Sequence, residues 1–456
     1  MNPYSPISKS QIHFLNAGFS QERIELSLLL LGVYLLAVTL NPSITSDGLI
    51  RFTAVEAIIS GEAIPIIKLS LIQAVLSLPL AYTAKLVGLP ISFAVSYFNF
   101  FTFLILGTSI LLSLKRIYSP RIALLTFLVL LSASVLPHHL QLYFGEVCSA
   151  FAICAGLLLS PKSYARAALL IGLGVANTPA LLPPALVGSL LLIKKRPAFL
   201  CGIAVATLLI LLENYFKYGS ISQSPYLLSA EKGMQTFLPY SGNPGFSYPI
   251  FFGILSVILS FGKGIIFYIP NLLVLCNSSL LKKMRLQNIY GVALACSITA
   301  VILVYAKWWA WYGGDFWGPR FFLILTVPAA IALATLISSM NNASNSKTLL
   351  LLALMAIATW VGIDGVIFGQ FHMELCWTNN YQYEMFCWYT PEFSALWRPF
   401  VVLTWRELFT YIVNSERFAY ALWQAIVFIY LSALVITSRK MNKVNISVSS
   451  NSITLG

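Results

Sequence analysis

Residues 22 to 52 read ERIELSLLLLGVYLLAVTLNPSITSDGLIRF, and the parsing of this stretch decides the rest of the chain. Residues 24 to 40 form an apolar run that a helix can lay across most of a hydrocarbon core about 30 Å thick. It follows more than twenty largely polar residues and stops at Asn41-Pro42 without a small-residue cleavage site, so it reads as an uncleaved anchor. A carboxylate, Asp47, and a guanidinium, Arg51, follow a few residues beyond its outer end.

The same pattern recurs outward along all 456 residues, of which 58% are hydrophobic and 9% charged, with mean hydropathy +0.82. Those values lie beyond an ordinary soluble domain, so lipid is the expected solvent. Spans are expected at 24 to 40, 93 to 114, 122 to 137, 147 to 160, 167 to 178, 180 to 193, 198 to 212, 264 to 281, 288 to 306, 321 to 337, 348 to 368 and 419 to 437. Those near 147, 167 and 180 fall short of the usual ~20 residues and imply tilting or breaks. Residues 250 to 263 suit half a hairpin. The fold class expected is all-α: a polytopic transmembrane bundle of about 12 spans with both termini cytoplasmic. Residues 1 to 440 form one domain, and the polar Ser- and Asn-rich tail 441 to 456 is expected to be disordered.

Charge placement tests this topology, because Lys and Arg favour cytoplasmic loops. With the N-terminus inside, 17 of 28 basic residues and only Glu22 and Glu25 of the 15 acids lie inside. The net charge of +13 is therefore a topology signature, and nucleic-acid binding is not implied. Nothing matches a phosphate-cradling nucleotide loop, and the inner loops leave no room for a nucleotide-binding domain.

Three outer segments, 41 to 92, 213 to 249 and 369 to 418, are much longer than turns and mix Trp, Tyr, Phe and Pro with charges. Short helices along the membrane interface are expected there. Five cysteines fall in or beside spans, while Cys376 and Cys387 share an outer loop, where an oxidising compartment would permit a disulfide without the spacing deciding it.

Several constellations could carry chemistry. Asp47 and Arg51, if helical, stand i,i+4 and either pair with each other or leave Asp47 as a general base. Glu56 and Glu62 read as solvated helix faces, and His138-His139 is a weak metal signal. Glu146 begins a span, where a carboxylate suits the positive end of a helix dipole as well as a site. Lys307-Trp308-Trp309-Ala310-Trp311-Tyr312-Gly313-Gly314-Asp315-Phe316-Trp317-Gly318-Pro319-Arg320-Phe321 puts four tryptophans within ten residues. An interfacial aromatic belt explains the tryptophans but not Gly-Gly-Asp or Gly-Pro-Arg, which imply a tight turn delivering Arg320 to a helix start. A guanidinium there suits a lipid phosphate. Lys263, between glycines in Ser260-Phe261-Gly262-Lys263-Gly264, is either a second phosphate contact or an interfacial anchor.

Taken together these residues resemble the GT-C superfamily of integral-membrane glycosyltransferases, which includes protein mannosyltransferases and the bacterial aminoarabinose transferase. The likeness covers most of the chain. Asp47, in Ser46-Asp47-Gly48-Leu49-Ile50-Arg51-Phe52, matches the acidic position that follows the first span in that family, and Glu146 matches the second acidic position. Ser260-Phe261-Gly262-Lys263-Gly264 and Asp315-Phe316-Trp317-Gly318-Pro319-Arg320 resemble patterns in bacterial members. The resemblance implies a polyprenyl-phosphate sugar as donor, an acceptor hydroxyl on a glycan, lipid or protein, and a site on the outer face of a bacterial cytoplasmic membrane. Asp47 would be the catalytic base, with Arg51, Glu146, Lys263, Asp315 and Arg320 binding substrate. No cofactor is implied. A divalent metal stays open, but the family's paired Asp-Glu is here Asp47-Gly48, which makes a metal role harder to defend. The rival readings are a transporter or lipid flippase, which would depend on charges at mid-membrane depth such as Asp364, and a non-enzymatic scaffold.

Overall fold

The computed structural model describes residues 9–159, 163–195, 197–221, 234–284, 289–340, 344–371 and 373–451. It is helical throughout, and its one bridge between extended segments among the described residues pairs Ser43 with Leu142.

The anchor lies in α1 (Lys9–Thr39), and the first outer segment folds into α2 (Asp47–Ser60) and α3 (Ile72–Val87). Glycines in the left-handed region, Gly61 and Gly88, end both of these helices. α4 (Ile91–Ser96) and α5 (Phe98–Ile117) together make a 27-residue apolar span. α6 (Pro120–Ser132) starts with Ser119 accepting from the Ile122 amide and Pro at its first position, which together remove two of the unpaired donors of a helix start. It stops short of the expected 137, and the short α7 (Leu136–Leu140) turns the chain toward α8 (Gly145–Leu159). α9 (Tyr164–Asn177) and α10 (Leu182–Leu192) follow near their expected places. α11 (Pro197–Tyr218) runs six residues past the expected end, drawing Glu213 and Lys217 into the helix.

The expected span at 264 to 281 is the clearest departure. α12 (Ile250–Leu259) and the four-residue α13 (Ile265–Tyr268) are followed by a 3-10 segment, Pro270–Cys276, and then α14 (Ser278–Lys283). Pro270 lacks an amide proton and its ring crowds the preceding turn, so the α-ladder cannot run through. Asn271 beside it donates to the Ala133 carbonyl at 2.9 Å, which ties the broken segment to the end of α6.

α15 (Ile289–Lys307) leads into the tryptophan-rich loop, and the 3-10 segment Arg320–Leu325 opens α16 (Thr326–Ser338). α17 (Asn345–Ile367) ends at the third outer segment, which holds α18 (Thr378–Tyr381), α19 (Glu384–Tyr389), α20 (Arg398–Val402) and α21 (Trp405–Asn414). α22 (Phe418–Asn451) closes the chain, so residues 441 to 451, expected to be disordered, continue a helix. Extending an existing helix fixes fewer torsions per hydrogen bond than nucleating one. Residues 452 to 456 lie outside the described residues.

Among the described residues five stretches are long and apolar enough to cross a membrane: Ile91–Ile117, Pro197–Tyr218, Arg320–Ser338, Asn345–Ile367 and Phe418–Thr437. The other apolar helices run 10–17 residues, among them the three expected to be short. α8 packs against α5 and α9, α9 against α11, and α16 against α6, around one large aliphatic and aromatic core. The outer loops are drawn together where Ser43 and the 141–143 segment exchange backbone bonds, Ser43 N to Gln141 O at 2.8 Å and Tyr143 N to Ser43 O at 3.2 Å.

Candidate active site

That bridge sets Asp47 beside the start of α8. Asp47 is the first residue of α2, and Ser46 before it has φ 46° and ψ −121°, a conformation that L-residues rarely adopt. Glu146 occupies the first turn of α8, where helix amides favour a carboxylate. Arg320 arrives from the far end of the chain. Gly313, Gly314 and Gly318 all have φ between 70° and 84°, giving the tight turn that the sequence implies.

Arg320 Nη2 donates to Asp47 Oδ2 at 2.6 Å across 273 positions of sequence. Its Nε lies 3.7 Å from Glu146 Oε1, an ion pair too long for a hydrogen bond. The Phe144, Phe316 and Phe321 rings lie 4.6, 5.4 and 5.2 Å from the guanidinium carbon. Such walls exclude water and strengthen each electrostatic contact. Arg320 Nε and Nη1 and Glu146 Oε2 are buried without a hydrogen-bond partner. The arrangement is a paired Asp–Arg with spare cationic donors, and its Asp side chain retains 22% exposure. Burial alone would raise the Asp47 carboxyl, but the charge and hydrogen bond of Arg320, aided by Lys68 and Arg51, hold it below the ordinary aspartate value.

Two expected substrate contacts have other partners. Arg51 does not pair with Asp47: its Nη1 donates to Ser70 O at 2.9 Å and to Asn177 Oδ1 at 3.4 Å. It is a buried strut joining α2 to the segment before α3 and to the end of α9. Lys263 does not present an open cation either. Its ammonium donates to the carbonyls of Gly314 at 3.0 Å, Gly318 at 3.2 Å and Phe316. Three protons on three acceptors leave none for a phosphate.

Asp315 sits on the same loop, half-buried, and among the described residues its carboxylate has no hydrogen bond or ion pair; its backbone oxygen accepts from Gln370 Nε2 at 2.9 Å. His138 and His139 are buried. His138 Nδ1 lies 2.7 Å from the Gly365 carbonyl, and neither His139 nitrogen has a hydrogen-bond partner. Burial favours the neutral imidazole in both, taking His138 down to about 4. Among the described residues no three His, Cys, Asp or Glu side chains converge as metal donors. Asp364 accepts from Trp317 Nε1 at 2.7 Å and so anchors the loop that carries Arg320.

Sequence reasoning missed the polar framework behind these groups. Asn177 Nδ2 donates to Gly145 O at 2.9 Å and Ser149 Oγ at 3.0 Å, while its Oδ1 accepts from the Gln73 amide at 3.2 Å. Glu213 accepts from Ser70 Oγ and the Leu71 amide, each at 2.9 Å, and from Lys217 at 2.5 Å. The available signal was polar residues at the C-terminal ends of α9 and α11. An open groove of about 890 Å³ lies elsewhere, between α21 and the end of α17, and shares no residue with the Asp47 cluster.

Two solved structures resemble the chain. ArnT from Cupriavidus metallidurans bound to undecaprenyl phosphate superposes with TM-score 0.52 at 12% identity, over 90% of this chain and 76% of that one. The apo state of the same protein gives 0.49 at 13% identity, over 92% and 77%. No protein-family model and no curated protein sequence matches. The first likeness is one of fold: the chain shares the polytopic helical architecture of that membrane protein.

Proposed function

We propose that this chain is a membrane glycosyltransferase that moves a sugar from a polyprenyl-phosphate donor to an acceptor hydroxyl at the outer face of a bacterial cytoplasmic membrane. The observation that carries the reading is the 2.6 Å contact of Asp47 with Arg320, made by the two residues singled out as base and phosphate-binding cation. The solved ArnT structure, which holds undecaprenyl phosphate, supports a lipid phosphate as partner.

The donor phosphate takes the spare Nε and Nη1 donors of Arg320 and competes with Asp47 for the third nitrogen. Each step away from Arg320 returns basicity to Asp47, because Arg320 is what depresses it. Donor binding thereby prepares the base. Asp47 then accepts the proton of the acceptor hydroxyl as its oxygen bonds the anomeric carbon, and the bond from that carbon to phosphate breaks. Polyprenyl phosphate leaves with its charge held by Arg320, so no acid is needed to protonate it. Glu146 keeps the guanidinium on the α8 side of the pocket.

A flippase would need charge at membrane depth free to follow a cargo. The buried Asp364 is instead bonded to Trp317. The test incubates purified protein with a panel of radiolabelled polyprenyl-phosphate sugars. Asp47→Asn should reduce turnover by about 10²-fold or more, the range lost with a general base. Arg320→Ala should reduce both donor affinity and turnover. Equal turnover by wild type and Asp47→Asn removes Asp47 from the role, and no turnover with any donor favours transport.

A further inference from the structure

The turn that carries Lys263 is clamped to the third outer segment. Gly262 N donates to Trp388 O at 3.1 Å, and Ser394 Oγ donates to Phe261 O at 2.7 Å. A Cβ at position 262 would collide with the Cys387 carbonyl, so only glycine lets the two backbones meet. Cys387 is joined to Cys376 by a disulfide, and the Lys263 ammonium lies 5.1 Å from the centre of the Trp388 ring. From this platform Lys263 reaches the carbonyls of residues 314, 316 and 318, alternate members of the loop that ends two residues before Arg320.

We propose that Lys263 is a positioning residue: its ammonium gathers three carbonyls of the Gly314–Gly318 loop onto the segment closed by Cys376–Cys387, and so sets the place of the Arg320 guanidinium. This rests on the reading above insofar as Arg320 holds the donor phosphate. The alternating carbonyls matter because a neutral or apolar side chain cannot satisfy all three. An amine retains two protons and must release at least one acceptor, after which the loop, and Arg320 with it, is free to shift.

The surroundings supply a readout. Burial first, then repulsion from Arg320, brings Lys263 down to about 7, with Asp315 opposing. Other ionisable groups near it are His138 and His139, both favoured neutral, Tyr312 stacked on the Trp388 ring, Tyr268 against Trp317, and Glu384 of α19, which accepts from Trp388 Nε1 and Thr236 Oγ1. Lys263 is therefore an ammonium below about 7, and its grip on the loop is lost as pH rises through that value.

The experiment uses the full chain in nanodiscs. Amide hydrogen exchange of residues 313–320 is followed across that pH range, corrected for the intrinsic pH dependence of exchange. In wild type, protection should fall about tenfold on the alkaline side, the size of one lost charged hydrogen bond. In Lys263→Met it should be low and flat with pH. The second arm titrates a farnesyl methyl phosphodiester, whose single charge does not change in this range. Wild-type affinity should fall with the protection, Lys263→Met should bind weakly at every pH, and Lys263→Arg should abolish the alkaline fall. Unchanged protection in Lys263→Met, or a wild-type alkaline fall that persists in it, overturns the positioning role. The wild-type exchange profile decides even if Lys263→Met does not fold, since a flat profile also overturns it. Failure of wild type to bind the phosphodiester, with the exchange result intact, would count against the donor reading and leave the positioning role standing.

Discussion

The backbone at Ser46 stores strain immediately before the proposed base. Its φ of 46° with ψ of −121° persists because Gly48 N and Leu49 N both bond Thr45 O, at 2.8 and 3.3 Å, while Ile50 N bonds Ser46 O at 3.1 Å. Such a conformation costs an L-residue about 1–3 kcal/mol, more than the chain entropy glycine adds. Ser46→Gly is therefore expected to hold or raise the apparent melting temperature, and Ser46→Val to lower it; a clear loss in Ser46→Gly would show that the serine side chain matters there. Asp47 sets an acid-side signature. Its folded value lies below the unfolded one near ~3.9, so the stability it contributes is full above the unfolded value and disappears as pH falls through the folded one. Acid melting curves of Asp47→Asn should be flatter than wild type in that window, and parallel curves would mean the pair with Arg320 contributes nothing. That Asp47, Glu146 and Arg320 come together could be anticipated, because a charge at the end of an apolar run needs a reason. The partners of Arg51 and Lys263 could not, for one physical cause. Their partners include main-chain oxygens from distant segments, at Ser70 and at residues 314 to 318, and no pattern of side-chain types records where a carbonyl points.

Helices were the most readable elements, since long apolar runs in lipid have little alternative to helix. The failure at 264 to 281 has the same origin: transmembrane helices tolerate proline when neighbours satisfy the freed groups, so hydropathy hides the break at Pro270. The expectation of interfacial helices in the third long segment falls most directly on α21. Thr404 and Glu407 cap it reciprocally, Thr404 N to Glu407 Oε2 at 2.8 Å and Glu407 N to Thr404 Oγ1 at 3.4 Å. Trp405 and Phe409, four apart on one face, are 78% and 69% exposed. In water alone that face would be an apolar liability, whereas at the lipid boundary it anchors the helix. Spin labels at 405 and 409 should report lipid-soluble quencher contact at headgroup depth, and labels at 406 and 410 should report water; equal values along the helix would detach it from the membrane. The Cys376–Cys387 bridge closes a short loop in the same segment. Replacing both with alanine should lower stability by about 2–4 kcal/mol, the usual effect of removing a native crosslink. An unchanged melting temperature would mean that packing of Trp388 holds the segment without it.

At the scale of the whole molecule, chain direction and charge agree on one end for the site. α1 delivers Asp47 as it leaves the bundle, α8 begins at Glu146, α11 ends near Glu213, and α17 ends by presenting Asp364 to Trp317. All four are at the end opposite the basic segments at 115 to 121, 194 to 195 and 347. The basic end has its own lock: Glu25 of α1 accepts from Arg121 Nε of α6 at 3.2 Å and from Tyr430 of α22 at 3.1 Å. At the Asp47 end three loops meet, those carrying Ser43 and Asp47, residues 141 to 146, and Arg320. Basic loops face the cytoplasm because they resist export, so the Asp47 end should face outward. The prediction is tested in intact cells with a membrane-impermeant maleimide, in a background where Cys201 and Cys276, the exposed free thiols, are replaced. Cysteines at the exposed positions 62 and 406 should label directly, and those at the exposed positions 195 and 347 only after permeabilisation. The reverse pattern would place Asp47 and Arg320 in the cytoplasm. Their chemistry would survive that result, but the donor would then have to be used on the inner leaflet, and an outward-facing acceptor would be excluded.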